Sequence, residues 1–138
     1  MSETGRISLC RHEIPGEPVH FDLFLGPGDD VHPDERVLRT WRLPQDPAGL
    51  AVGEGLDVTR LGAHRGAYLH LEGPTVPKSA PGMVSPVRRG TCTVREVAGG
   101  RLLLRIDWGD GVEVRLELSD DRLLRSGPGG DDVEPGRR

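Results

Sequence analysis

The chain has 138 residues, enough for one domain of ordinary size and too few for two. Apolar residues make up 35% and charged residues 29%, and aromatics are limited to two Trp, two Phe and one Tyr, so Leu and Val must fill the core. The 20 Gly and 12 Pro argue against a helical bundle and for short strands joined by many turns. No apolar run approaches the ~20 residues of a membrane span, and no signal segment opens the chain. The expectation is a cytoplasmic monomer without a membrane partner. Cys10 and Cys92 make no disulfide framework and are expected to be reduced.

Residues 1–5 read as a loose start, and Ile7–Ile14 as a strand with Ile7 and Leu9 on one face and Ser8, Cys10 and His12 on the other. After the turn at Pro15–Pro18, Val19–Leu25 is the clearest strand of the first half. Val19, Phe21, Leu23 and Leu25 alternate there with His20, Asp22 and Phe24. A Gly/Pro/Asp-rich loop leads to a strand at Arg36–Leu43. Residues 45–63 are the least readable part: Asp46-Pro47 can cap a short helix, and Gly49, Gly53 and Gly55 argue against a long one. Ala67–Glu72 reads as a strand, 73–86 as a Pro-rich loop, and Gly90–Val97, Arg101–Trp108, Val112–Leu118 and Arg122–Arg125 as an antiparallel meander. Gly109-Asp110-Gly111 is its tightest turn. The tail from Gly127 is expected to be flexible, leaving residues 1–126 as a single domain. About eight short strands spaced by turns predict an all-β fold, a small antiparallel β-barrel with long Gly/Pro-rich loops.

The formal charge is −4. The first 75 residues carry −5 and the rest +1, a balance that lacks the basic footprint of a nucleic-acid binder. The chemistry concentrates instead at His20-Phe21-Asp22. Period-two geometry puts His20 and Asp22 on one strand face, about 7 Å apart at the backbone, so both can reach one metal ion. That face is expected to be a polar surface distinct from the core. His12 on the preceding strand adds a third donor, and two imidazoles with a carboxylate suit Mn, Fe or Zn. A bare His-x-Asp also fits an exposed strand edge. His64, Tyr68 and His70 continue the polar face, whereas His32 lies in an acidic loop and reads as solvated. Gly26-Pro27-Gly28 lacks the Lys and Ser/Thr of a phosphate-cradling loop.

In order, His12, His20-Phe21-Asp22-Leu23, Leu38-Arg39-Thr40-Trp41-Arg42-Leu43-Pro44 and His64-x-x-x-Tyr68-x-x-x-Glu72-Gly73 resemble the 3′-phosphoesterase domain of bacterial DNA ligase D, over about residues 7–126. The resemblance implies a small β-barrel that uses a manganese-type ion, with Zn2+ or Fe2+ as alternatives, to remove a 3′-ribonucleoside or 3′-phosphate from DNA ends in repair. It implies DNA or RNA–DNA 3′ ends as substrate and a ligase or end-joining protein as candidate partner. Carried over by position, it makes His12, His20 and Asp22 the metal ligands, His64 the proton donor or transition-state stabiliser, and Tyr68 the residue that orients His64 or binds phosphate. Three family positions differ: the phosphate-binding Arg is Phe24 here, a Lys is Gln45, and a Gln is Cys10. Arg39 is expected to compensate for the missing cations, with Arg42, Arg60 and Arg65 as alternatives. On this reading Phe24→Arg is expected to raise activity on a 3′-phosphate. Two other functions compete: a binding module of the same fold that has lost turnover, and a non-haem iron oxygenase in which His64 or His70 completes a triad with His20 and Asp22.

Overall fold

The computed structural model describes residues 2–77 and 81–127. Nine strands form one antiparallel sheet: β1 (Ser2–Glu13), β2 (His20–Pro27), β3 (Arg36–Leu43), β4 (Gly55–Asp57), β5 (Thr59–Arg65), β6 (Met83–Val97), β7 (Arg101–Asp107), β8 (Glu113–Leu118) and β9 (Arg122–Ser126). Their order is β4-β9-β8-β7-β6-β1-β2-β3-β5. The all-β expectation therefore holds, but the hydrogen-bond ladder does not close into a barrel. The two edge strands are nonetheless separated in sequence by Val58 alone. One residue spans about 3.5 Å, and a flat sheet of this width would hold its edges tens of ångströms apart. The sheet must roll until β4 and β5 nearly meet.

Side chains and loop backbone stitch that seam. The buried Trp41 of β3 donates its indole N–H to the Ser119 carbonyl at 3.1 Å, beyond the far end of β8. The Arg60 guanidinium lies 4.4 Å from the Trp41 ring and 3.3 Å from Asp120, and the Val58 amide donates to Asp121 at 3.0 Å.

Alternation sorts the strands into two apolar clusters. Ile7, Leu9, Leu23, Leu25, Trp41, Leu43, Leu104, Ile106, Leu116 and Leu118 belong to the main core on the inner face of the roll. The opposite face of β1, β2 and β3 carries a second cluster of Cys10, Phe24, Leu38, Leu69 and Val84. That face was expected to be a polar surface. It is a covered one, because Tyr68, Leu69 and Leu71, which follow β5, pack across it.

Four expectations about elements change. Residues 2–5 are not loose: they extend β1 and pair with β6, from Ser2 opposite Arg95 to Gly5 opposite Cys92. Residues 45–63 hold β4 and most of β5, short strands with glycines and no alternating burial, so no periodic signal marks them. Ala67–Glu72 is not a strand but follows from a 3-10 turn at Gly66–Leu69. The amides of Gly66 and Ala67 bond to Glu35 and Pro33 of the preceding loop, so they are unavailable to a ladder. Gly66 permits this approach, since a Cβ there would stand 2.6 Å from the His32 carbonyl oxygen. Finally, β6 begins at Met83 rather than Gly90, running through Pro86 where a register shift opposite Leu9 and Cys10 removes the need for its missing donor. The predicted tail beyond Gly127 lies outside the described residues.

Candidate metal centre

Register delivers the candidate ligands to one place. In the β1–β2 hairpin His12 stands opposite His20 and Cys10 opposite Asp22, all four on the face of the second cluster. His12 and Asp22 are each 4% exposed. One donor atom from each of His12, His20 and Asp22 falls in a group whose members all lie within 4.8 Å of one another. His12 Nδ1 and His20 Nε2 are 3.0 Å apart, and the Asp22 oxygens lie 3.7 and 3.8 Å from these nitrogens.

The carboxylate distances are too long for hydrogen bonds. Asp22 Oδ1 is buried and has no hydrogen-bond partner. A buried carboxylate oxygen without a partner is costly unless a cation meets it. Ligands held about 2.0–2.2 Å from one divalent ion lie roughly 3–4 Å from each other, the spacing seen in this group. The donor set therefore fits a metal ion.

The imidazoles are prepared for one. His12 Nε2 lies 3.0 Å from the Pro81 carbonyl, which can only accept, so Nε2 carries the proton and the Nδ1 lone pair faces Asp22 and His20. Burial pushes the His20 pKa below 6.5 despite the opposing pull of Asp22, and Arg42 and His12 push the same way as burial. Its ring is thus neutral at pH 7, the state a metal requires. Cys10 lies outside the ligand group, and burial, with Asp22 beside it, pushes its thiol up to about 12.

Gly82 places the Pro81 carbonyl. Its φ is +95°, and a Cβ there would collide with the carbonyl oxygen of Glu13, next to His12. Gly82→Ala is expected to push this turn off β1 and lower Mn2+ affinity by about 10–100-fold, the usual loss when a ligand's outer hydrogen bond is removed. Unchanged affinity in a manganese titration would show that the carbonyl does not orient the ring.

The remaining candidates divide. Phe24, two residues beyond Asp22 on the same face, stacks on Tyr68 with ring centroids 5.0 Å apart and meets the His64 ring at 5.5 Å. His64 and Tyr68 therefore pack together on Phe24 and lie outside the metal-ligand set. His64 Nδ1 donates to the Gly62 carbonyl at 2.8 Å, leaving Nε2 as the free nitrogen. His70 is exposed and His32 accepts from the Asp34 amide within its own turn, so neither joins the cluster. The third member of the cluster is His12, not the His64 or His70 of the oxygenase reading.

Arg39 is not brought to the site. In β3, Trp41 and Leu43 face the main core, and Arg39 shares their side, 3.5 Å from Glu3 and close to the buried Cys92. Leu38, Thr40 and Arg42 take the other face, and Arg42 stands directly opposite Asp22 with its Nε 3.7 Å from Oδ1. The apolar pair Trp41 and Leu43 already carried this signal, because it fixes which arginines point away from the core. Nor does Phe24 occupy a solvent-filled anion pocket: it is 1% exposed, between Cys10, Leu38, Leu69 and Val84.

No family model, curated protein or solved structure matches this chain. Fold and site define an all-β domain with one rolled antiparallel sheet and a buried two-histidine, one-carboxylate group able to hold a metal ion. No helix among the described residues is long and apolar enough to cross a membrane.

Proposed function

We propose that this protein is a divalent-metal phosphoesterase, akin to the ligase D 3′-phosphoesterase domain it resembles, acting on 3′-phosphate or 3′-ribonucleoside ends of DNA. The observation that carries the reading is the buried His12–His20–Asp22 group with its unpartnered Asp22 oxygen. When bound, a manganese-type ion (Zn2+ and Fe2+ being the alternatives) would act as Lewis acid toward a phosphoryl oxygen. His12, His20 and Asp22 hold it. His64 keeps Nε2 free for a proton and would deliver it to the leaving oxygen as water adds to phosphorus and the ester bond breaks: the DNA 3′-oxygen for a 3′-phosphate, the ribonucleoside 5′-oxygen for a 3′-ribonucleoside end. The stack of Phe24 on Tyr68 supports the His64 ring. The partner in this reading is a DNA end, delivered to or received from a separate ligase.

The test is manganese-dependent processing of a primer-template with a 3′-phosphate or a terminal 3′-ribonucleotide. His64→Ala is expected to lower kcat by about 10²–10⁴-fold and to leave Mn2+ affinity unchanged. The presence of Phe24, an apolar side chain, at the position of a family cation favours one second reading, a binding module of the same fold. Mn2+-loaded protein that binds the 3′ end without cleaving it would move the assignment there.

A further inference from the structure

We propose that Arg42 forms an oxyanion subsite beside the metal centre, matched to a doubly charged terminal phosphate; this rests on the phosphoesterase reading above. β3 places Arg42 directly across from Asp22 and diagonal to Phe24, on the same sheet face. Side chains opposite one another on a face stand about 5 Å apart at Cβ, so its guanidinium borders the metal group from the neighbouring strand.

Three observations show that this guanidinium is held but not consumed. Its Nε is 3.7 Å from Asp22 Oδ1, too far to donate, and is buried without a hydrogen-bond partner. The side chain is 43% exposed while that of Asp22 is 6% exposed, so the outer end of Arg42 reaches solvent at the rim of the cluster. Asp22 is also the one carboxylate recorded beside it among the described residues. The other arginines named as substitutes are engaged elsewhere: Arg65 pairs with Asp34, Arg60 with Asp120 and Arg39 with Glu3.

Charge then selects the ligand. An imidazole that ligates a metal adds no charge, so a divalent cation, the Asp22 carboxylate and the Arg42 guanidinium leave two positive charges. A phosphate monoester above its second pKa of about 6 carries close to two negative charges, whereas a diester carries one. The site is therefore balanced for a 3′-phosphate in preference to an internal or ribonucleoside diester, and the planar guanidinium offers paired donors to its oxygens.

The experiment measures binding of a 5′-fluorescein DNA oligonucleotide ending in 3′-phosphate or 3′-hydroxyl, by anisotropy with Mn2+. It uses the His64→Ala protein so that no turnover intervenes, and Mn2+ affinity is read separately from the paramagnetic resonance of free Mn2+. With Arg42 intact, the 3′-phosphate strand is expected to bind at least about tenfold tighter. Arg42→Gln should erase that preference, Arg42→Lys should restore part of it, and Mn2+ affinity should hold or tighten because a like charge has left. A preference that survives Arg42→Gln overturns the subsite while leaving the phosphoesterase reading in place. Weakened Mn2+ binding in Arg42→Gln also overturns it, since Arg42 would then be a structural partner of Asp22. If the protein shows no preference even with Arg42 present, the subsite is overturned, while the phosphoesterase reading is decided separately by the cleavage test.

Discussion

Asp22→Asn is expected to lower Mn2+ affinity by more than about 100-fold without lowering the thermal midpoint of the metal-free protein. The two effects part company because Asp22 is costly in the absence of a cation. Its carboxylate is buried, Oδ1 has no hydrogen-bond partner, and the nearest cationic group, Arg42, stays 3.7 Å away. An amide of the same shape removes the buried charge and the anionic ligand together. In the unaltered protein, Mn2+ at one hundred times its dissociation constant should contribute about 2.7 kcal/mol, or roughly 10 °C in midpoint for a domain of this size. That shift should vanish in Asp22→Asn and in His20→Ala. Thermal melts with and without Mn2+ check both halves, and a retained shift in either variant would remove Asp22 or His20 from the ligand set.

Phe24→Arg is expected to unfold much of the protein rather than to raise its activity. The resembled family carries a cation at this position, whereas here it is a fully buried ring, stacked on Tyr68 and enclosed by the second apolar cluster. Losing a core phenylalanine costs about 3–5 kcal/mol, and the guanidinium adds the penalty of a buried charge with no carboxylate built to meet it. Against a typical domain stability of about 5–15 kcal/mol, this is enough to populate the unfolded state. Phe24→Leu keeps an apolar side chain and should cost far less, with Mn2+ binding retained. Denaturant unfolding separates the cases. A stable Phe24→Arg protein with increased 3′-phosphatase activity would mean that residue 24 lines an open anion pocket after all.

These outcomes show where the sequence was legible. Gly and Pro content with alternating Val and Leu was enough for the all-β class, because turn residues and the period-two pattern are local properties. The same period placed His20 with Asp22, and the hairpin added His12, so the metal group could be read before any contact was known. Alternation in β3 also contained the choice between Arg39 and Arg42, since Trp41 and Leu43 had to face the core.

Long-range packing decided the rest. Only the packing of Tyr68, Leu69, Leu71 and Val84 onto β1–β3 turned the expected polar face into a buried one, changing Phe24 from an anion-site residue into a core residue. Nothing near His12 in sequence announces that the Pro81 carbonyl sets its tautomer, because that bond spans 69 residues. The short edge strands β4 and β5 likewise have no burial period of their own. Their place is set by β9 and β3 and by a sheet that rolls until Val58 joins its edges. Which side chains share a strand face follows from residue order alone, because backbone geometry repeats every two residues. Which face is covered, and by what, was decided by tertiary structure alone, because that depends on segments distant in the chain.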